Sequence, residues 1–182
     1  MAKHTEFGTD VRVAFKNGTE KIADAVGVTM GAKGRIVLIA NKFGPAKPTK
    51  DGVTVAENFE LLDPKENLAA SLVAQAAQET NSQAGDGTTT ATVLTWAMVS
   101  EGIKATQAGL NPMDIRRGMD KATLAVIEGL KNISTECADS KAIAQVGSIS
   151  ANSDTAGGEI IAKAMDSVGK AGGITVEEGR GL

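Results

Sequence analysis

Two short stretches in the middle of the chain carry the signals of a helix start. In Asp63-Pro64-Lys65-Glu66, an N-cap acceptor precedes a proline at the first helical position and a carboxylate at the third. These residues supply partners for backbone N–H groups that the first turn of a helix leaves unpaired. Asn111-Pro112-Met113-Asp114 repeats the pattern. We therefore expect two long helices, ending near Ala84 and near Asn132, and a chain dominated by helix packing.

Apolar residues recur at steps of three and four in these helices and in a third helix between them, from Thr88 to Ala108. This spacing places apolar side chains on one face, as in a helix that packs against a core. In the helix that begins at Asp63, the side chains on the core face are expected to be Leu68, Leu72, Val73 and Ala76. In the helix from Thr88 to Ala108, Val93, Trp96, Ala97 and Ile103 are expected to face inward. In the helix that begins at Asn111, the residues at this spacing are Ile115, Met119, Ala122, Val126 and Leu130.

Weaker patterns predict the elements nearer the N-terminus. Apolar spacing predicts a helix over 10–28, although Asn17-Gly18 lies inside it and lowers its helix propensity. The β-branched run from Ile36 to Ile39 predicts a buried strand. Residues 44–48 are expected to form a turn.

The last third of the chain changes character. Helices are expected at about 139–150 and 153–168, each opened by an aspartate or a serine, followed by a strand at 174–177. The predicted fold class is mainly α with short β segments. A boundary after about residue 132 would divide the chain into domains at 1–132 and 133–182.

The composition of the chain argues against nucleic acid and membranes as partners. The chain has 19 basic and 22 acidic residues and a net charge of −3, so it lacks the broad cationic field that holds nucleic acid. Aromatic residues make up 3% of the chain, too few for a base-stacking platform. No stretch approaches about eighteen consecutive apolar residues. We therefore expect neither a nucleic acid nor a membrane as a partner.

Cysteine and histidine occur once each. Cys137 alone cannot form an internal disulfide, and together with His4 it leaves no soft-ligand cluster for zinc or iron–sulfur. Nucleophilic hydrolase chemistry is not expected, because a catalytic Ser-His-Asp or Cys-His arrangement would have to use His4. The polar N-terminus lacks an apolar signal segment. These features predict a cytoplasmic protein.

The segment with the most chemical content is Gly85-Asp86-Gly87-Thr88-Thr89-Thr90, which opens a predicted helix. Unpaired N–H groups and the positive end of the helix dipole attract phosphate at such a position. Glycines let the backbone approach a ligand, hydroxyls can donate to phosphate oxygens, and Asp86 can hold Mg²⁺. The alternative is a polar turn whose aspartate and threonines cap the next helix. The chain has no Walker A loop and no complete dinucleotide fingerprint, so a phosphate site here is of another kind.

Two other segments carry weaker signals. Thr29-Met30-Gly31-Ala32-Lys33-Gly34-Arg35 offers glycines for a tight turn and two cations for phosphate. A helix C-cap followed by solvated cations would have the same pattern. Lys50-Asp51-Gly52 is typical of an Asp-Gly turn, yet Asp51 also offers a second carboxylate for a metal held by Asp86.

Several long motifs, taken in their order, resemble the group I chaperonins, the family of the bacterial 60-kilodalton heat-shock chaperonin. The resemblance covers the whole chain and is carried by residues 29–35, 49–53, 84–94, 109–114, 140–147 and 150–153. It implies that residues 1–132 are the first part of an equatorial ATPase domain and that 133–182 are the ascending part of an intermediate domain. The chain is then expected to be an N-terminal fragment in which the apical domain is absent.

The resemblance also implies a nucleotide site for ATP, Mg²⁺ and K⁺. Asp86 would coordinate Mg²⁺, and Asp51 would be the catalytic acid beside the γ-phosphate. Ser150 would approach the nucleotide from the intermediate domain. Ala32 replaces the family's usual proline, which removes a fixed φ angle and is expected to alter nucleotide affinity. The expected nucleotide-binding residues are Thr29, Met30, Gly31, Ala32, Lys50, Asp86, Gly87, Thr88, Thr89, Thr90 and Ser150.

For the complete protein, the resemblance implies an ATPase chaperone that cycles between conformations as a homo-oligomer of stacked rings. Its partners would be further copies of itself, a co-chaperonin and unfolded client proteins. The family's remaining catalytic aspartate would follow Leu182, together with the second half of the equatorial domain. Two other functions stay open: a non-catalytic fragment that binds nucleotide or chaperonin subunits, and a small phosphotransferase.

Overall fold

The computed structural model describes residues 4–41, 44–137, 139–151, 154–169, 172–176 and 179. The helices and strands of this part of the chain are α1 (Thr9–Gly27), β1 (Val37–Ile39), β2 (Lys47–Thr49), α2 (Gly52–Glu57), α3 (Pro64–Ala84), α4 (Thr88–Gln107), α5 (Pro112–Ile133), α6 (Ser140–Ser150) and α7 (Thr155–Val168). The predicted fold class, mainly α with short β segments, is confirmed. Among these helices, none is both long and apolar enough to cross a membrane.

The chain divides into two compact units, Met1–Leu124 and Ala125–Leu182. The domain division expected after about residue 132 stays a prediction.

Aspartates cap α3, α6 and α7, as the sequence predicts. Asp63 Oδ1 accepts hydrogen bonds from the backbone N–H groups of Lys65 and Glu66, at 2.8 and 3.1 Å. Asp139 and Asp154 cap α6 and α7 through the N–H groups of their first turns. Because these side chains satisfy N–H groups that have no partner within the helix, each helix start is determined locally.

The core of the first unit lies where α1, α2 and α3 meet, and α4 packs against α1 and α3. Its side chains are all aliphatic, which agrees with the scarcity of aromatic residues. The buried residues of this core are Ile22, Val26, Val55, Ala56, Ala70, Val73 and Ala77.

Gly18 explains why a glycine stands inside α1. A Cβ atom at this position would lie 2.2 Å from the backbone oxygen of Glu66 in α3. The missing side chain therefore lets α3 approach α1 closely, and this packing outweighs the low helix propensity of Asn17-Gly18.

The inward face of α3 differs from the predicted one. Leu68 and Leu72 are 56% and 48% exposed, so the prediction that they face the core is wrong. Val73 is buried as predicted, and the rest of the buried face consists of Ala69, Ala70 and Ala77. Small side chains allow close helix packing, and this close approach selects the alanine face over the leucines.

The buried positions of α4 and α5 also differ from the prediction. In α4 the buried residues are the hydroxyl-bearing Thr88, Thr92 and Ser100, whereas the expected apolar residues are only half-buried. None of the residues of α5, all of which the structure describes, is buried. Met119, Val126 and Leu130 are exposed, so the helical spacing correctly predicted a helix, but its apolar residues are not buried in the described part of the chain.

A two-stranded hairpin and a short helix occupy the segment after α1. β1 pairs with β2 antiparallel, with Val37 opposite Thr49 and Ile39 opposite Lys47. β1 is not the buried strand expected, because Leu38 is 70% exposed. β2 includes part of the predicted turn, and α2 begins where an Asp-Gly turn was the expected structure.

The second unit contains α6 packed against α7 through two glycines. A Cβ at Gly158 would lie 2.4 Å from the backbone oxygen of Ala144 and 2.1 Å from Ser148 Oγ, and a Cβ at Gly147 would lie 3.2 Å from Gly158 Cα. The two helices are therefore in backbone contact at this point. The strand predicted at 174–177 is not found over 174–176, and Glu177 lies outside the described residues.

Candidate phosphate-binding site

The turn between α3 and α4 has two residues in the left-handed region. Gly85 (φ 68°) ends α3, and its N–H donates to Asn81 O at 2.9 Å. Gly87 (φ 81°) is the N-cap residue of α4, and no side chain caps the helix there. The first N–H groups of α4 therefore have no side-chain acceptor at the N-cap, as an anion site at a helix start requires.

Asp86 lies between these two glycines and is exposed. Its Oδ1 accepts a hydrogen bond from the N–H of Gly87 at 2.7 Å. This contact holds the carboxylate at the turn and does not cap α4. Thr88 is buried, Thr89 is half-buried and Thr90 is exposed, so the three threonines of the motif have different surroundings.

Three segments that are distant in sequence meet at the threonine hydroxyls. Thr29 Oγ1 lies 3.2 Å from Thr89 Oγ1, in hydrogen-bond range. Gly52 also packs closely against these hydroxyls, because a Cβ on it would lie 2.1 Å from Thr89 Oγ1 and 3.3 Å from Thr88 Oγ1. The turn after α1, the first residue of α2 and the first turn of α4 therefore converge. This brings Thr29 and Gly52, which follows Asp51, to the Gly-Asp-Gly-Thr motif.

Asp51 is the N-cap of α2. Its Oδ1 accepts from Val53 N at 3.3 Å, and its Oδ2 accepts from Thr54 N at 3.1 Å and also from the Thr54 hydroxyl. Its own N–H donates to Thr49 Oγ1 at 3.1 Å. The half-buried carboxylate is thus held in one orientation, directly before the glycine that touches Thr88 and Thr89.

The turn after α1 is closed by backbone hydrogen bonds. Gly34 N donates to Gly31 O at 2.9 Å, and Arg35 N donates to Val28 O at 2.7 Å. Gly31 has a φ of 70°, and a Cβ on Gly34 would lie 2.2 Å from Thr29 O. Both glycines are therefore required by the turn itself. Met30 and Ala32 are exposed on it.

Lys50 and Ser150 are the remaining residues predicted to bind the nucleotide. Lys50 is exposed, and no hydrogen bond or ion pair joins it to another described residue. Ser150 is the last residue of α6 in the second unit and is exposed. Its expected approach to the nucleotide stays a prediction.

The acidic residues are better suited to a metal ion that binds together with a nucleotide than to a metal ion held by the protein alone. In the described part of the chain, no group of three or more His, Cys, Asp or Glu side chains could hold a metal ion. Mg²⁺ bound with phosphates needs only one or two carboxylates, because phosphate oxygens and water supply its other ligands. An exposed Asp86 beside an uncapped helix start meets that lower demand.

Sequence reasoning missed α2 and the close contact of its first residue with Thr89. The signal was available, because Asp51 precedes the apolar residues Val53, Val55 and Ala56, as an N-cap precedes an apolar helix face. The Asp-Gly pair favoured a turn instead.

Comparisons with known proteins agree with one another. A model of the TCP-1/cpn60 chaperonin family matches residues 22–178. Among solved structures, the chain is similar to the chaperonin gp146 from the bacteriophage EL 2 (Pseudomonas aeruginosa), crystallised in the presence of ATP-BeFx. The two share 28% sequence identity with a TM-score of 0.68 over 86% of this chain. The match covers 28% of the length of the phage chaperonin.

Proposed function

This chain belongs to the TCP-1/cpn60 chaperonin family, and from that premise we propose that the complete protein is an ATP-driven chaperone of the group I type. Its residues 1–132 would form the first part of the equatorial ATPase domain, and 133–182 the ascending part of the intermediate domain. In the complete protein, copies would assemble into stacked rings that bind unfolded proteins and a co-chaperonin. We propose a cytoplasmic location for it.

The observation that carries the proposal is the meeting of Thr29, Gly52 and Thr89 at the uncapped start of α4. A helix start, two left-handed glycines and several hydroxyls form a concentrated set of donors for phosphate oxygens. The phage chaperonin with a similar fold was crystallised with ATP-BeFx, which supports nucleotide as the source of that phosphate.

Each predicted residue has a separate role in this proposal. The N–H groups and hydroxyls of residues 87–90 would hold phosphate oxygens, and Lys50 would add positive charge. Thr29, Met30, Gly31 and Ala32 would contact the nucleotide from the turn after α1. Asp86 would hold Mg²⁺, and the bound metal supplies charge neutralisation on the transferring phosphoryl group. K⁺ enters the proposal from the family resemblance.

Asp51 would act on the water that attacks the γ-phosphate. Its carboxylate is already oriented by Val53 and Thr54, so little reorganisation is needed to position a water molecule. To hold the water, the Asp51 carboxylate must accept one more hydrogen bond. Its two oxygens have lone pairs left for this bond.

A second candidate function is a non-catalytic module that binds nucleotide or chaperonin subunits without turnover. It is favoured by the exposed apolar side chains of α5. The two functions differ in what the 182-residue chain does alone. Steady ATP turnover by this chain would contradict the view that catalysis needs further residues.

The main proposal is tested by ATPase measurements on the complete protein with Asp86→Ala. Asp120→Ala on the exposed surface of α5 is the matched control, because it removes the same carboxylate outside the site. We expect Asp86→Ala to lower turnover by about a hundredfold or more, with the control unchanged. Equal turnover in the two variants would overturn the assignment.

A further inference from the structure

The hydroxyl of Thr54, in the first turn of α2, donates to a carboxylate. Thr54 Oγ1 donates to Asp51 Oδ2, and the N–H of Thr54 donates to the same oxygen at 3.1 Å. A threonine inside a helix commonly donates instead to the backbone oxygen four residues earlier. In α3 and α4 the threonines that bond in this way are Thr80, Thr92, Thr95 and Thr106.

Capping a helix with an aspartate does not require such a hydroxyl. Asp63, Asp139 and Asp154 cap α3, α6 and α7 through backbone N–H groups of the first turn. The residues that stand at the position of Thr54 in these three helices carry no hydroxyl group; they are Glu66, Ala142 and Gly157. The side-chain hydrogen bond to Asp51 is therefore additional to what the cap needs.

The N–H of Asp51 has its own partner, so Thr54 does not complete a capping box. In a capping box, the side chain at the third helical position accepts from the N–H of the N-cap residue. Here that N–H donates to Thr49 Oγ1 at 3.1 Å, and the Thr54 hydroxyl is left to donate to the carboxylate. Because these contacts all join residues 49–54, the local sequence determines them.

The two carboxylate oxygens of Asp51 accept different numbers of hydrogen bonds. Oδ2 accepts two, both from Thr54, whereas Oδ1 accepts one from Val53 N, at 3.3 Å. Each oxygen of a carboxylate has about two lone-pair sites. Oδ2 is therefore filled, and Oδ1 is the oxygen with room for a further donor.

We propose that Thr54 is a positioning residue for ATP hydrolysis. Its hydroxyl would fill Asp51 Oδ2, fix the rotation of the carboxylate, and leave Oδ1 to accept the hydrogen bond from the attacking water. This inference rests on the proposed function, in which Asp51 acts on that water. Gly52, the next residue, packs against Thr89 Oγ1, so the carboxylate is held one residue away from a contact with the hydroxyls that would bind phosphate.

The test measures steady-state ATP hydrolysis by the complete protein with Thr54→Val, which keeps the branched shape and removes the hydroxyl. We expect kcat to fall by about tenfold or more, because a misplaced reacting group slows the chemical step, while the Kd for Mg·ATP stays the same. Thr54→Ser, which keeps the hydroxyl, should restore most of the lost kcat. Thr54→Ala replaces Thr54→Val in this comparison if circular dichroism shows that the valine variant does not fold.

Thr106→Val is the matched control for the loss of a hydroxyl. It removes a half-buried hydroxyl that donates to Gly102 O at 2.8 Å, at the end of α4 opposite to the candidate site. This variant should leave kcat unchanged. A loss of kcat in Thr54→Ser as large as in Thr54→Val, or a weaker Kd for Mg·ATP in Thr54→Val, would overturn a positioning role of the hydroxyl.

Asp51→Ser separates this inference from the proposed function, because serine still caps a helix but has no carboxylate. Thr54→Val added to Asp51→Ser should cause no further loss of kcat if Thr54 acts through Asp51. A further loss would overturn the inference, as would a fall of kcat in Asp51→Ser that Thr54→Val does not share. If neither single variant lowers kcat, the role of Asp51 in the proposed function fails as well.

Discussion

The hydroxyl oxygens of Thr29 and Thr89 lie 3.2 Å apart although the two residues are separated by 60 positions in the chain. Thr29 also donates to Val26 O at 2.8 Å, so its hydroxyl joins the end of α1 to the start of α4. This contact makes the turn after α1 part of the same surface as the Gly-Asp-Gly-Thr motif. Predictions about nucleotide binding therefore depend on the packing of α1, α2 and α4.

Gly52→Ala should weaken nucleotide binding because its Cβ would lie 2.1 Å from Thr89 Oγ1. Overpacking of this kind costs about 1–3 kcal/mol, and displacement of the Thr89 hydroxyl should raise the Kd for Mg·ATP by roughly tenfold. A fluorescent ATP analogue measures the affinity. Gly118→Ala, in open space on α5, is the control and should leave the Kd unchanged. An unaltered Kd for Gly52→Ala would show that the α2–α4 contact is irrelevant to binding.

Gly18→Ala should destabilise the first unit, because the added methyl group would lie 2.2 Å from the Glu66 backbone oxygen. We expect a loss of about 1–3 kcal/mol in the free energy of unfolding, measured by urea titration. Gly102→Ala, which adds the same methyl group in open space on α4, should be neutral or stabilising by up to about 1 kcal/mol. The packing account fails if the two variants have equal stability.

Asp63 predicts a pH dependence of the start of α3. Hydrogen bonds from the N–H groups of Glu66 and Lys65 hold the pKa of Asp63 below its usual value. A lowered pKa in the folded state means that the stabilisation is present above the pKa of the unfolded carboxyl group. It is lost as the pH falls through the lowered pKa of the folded state.

The measurement is the melting temperature between neutral pH and pH 2 for Asp63→Ser, because serine caps a helix without titrating. The variant should lose less of its melting temperature on acidification than the unaltered chain. Parallel pH profiles would contradict a contribution from Asp63.

Gly158→Ala should separate α6 from α7, because a Cβ there would lie 2.4 Å from Ala144 O. Amide hydrogen exchange should become faster throughout 140–168. Gly129→Ala, which adds a methyl group in open space on α5, should leave that exchange unchanged. Unaltered protection in Gly158→Ala would mean that the helices do not depend on this backbone contact.

The sequence predicted the helices well because their starts depend on local chemistry. Asp63, Asp139 and Asp154 act as caps within their own first turns, and such signals can be read without knowledge of the rest of the fold. The inward faces could not be read in the same way. Leu72 is exposed and Ala77 is buried because α1 approaches α3 closely at the small residues of α3. This approach depends on residues that are distant in sequence.

The sequence predicted the separate segments of the candidate phosphate site, but not the contacts that bring them together. The Gly85–Thr90 motif was identified from glycine and hydroxyl chemistry, but nothing local indicates that Gly52 touches Thr89. The Asp-Gly pair at 51–52 was interpreted by turn propensity, and the burial of Val53, Val55 and Ala56 against the core decides for a helix instead. Tertiary packing overrides local preference at this point.

Amide chemical shifts of the isotope-labelled chain during a titration with Mg·ATP test the central claim most directly. If the start of α4 holds the phosphates, the resonances of Gly52, Gly87 and Thr89 should move together along one binding curve. They should stay still with adenosine, which lacks phosphates. Resonances of these residues that do not move with Mg·ATP, or that move equally with adenosine, would contradict a phosphate site at the start of α4.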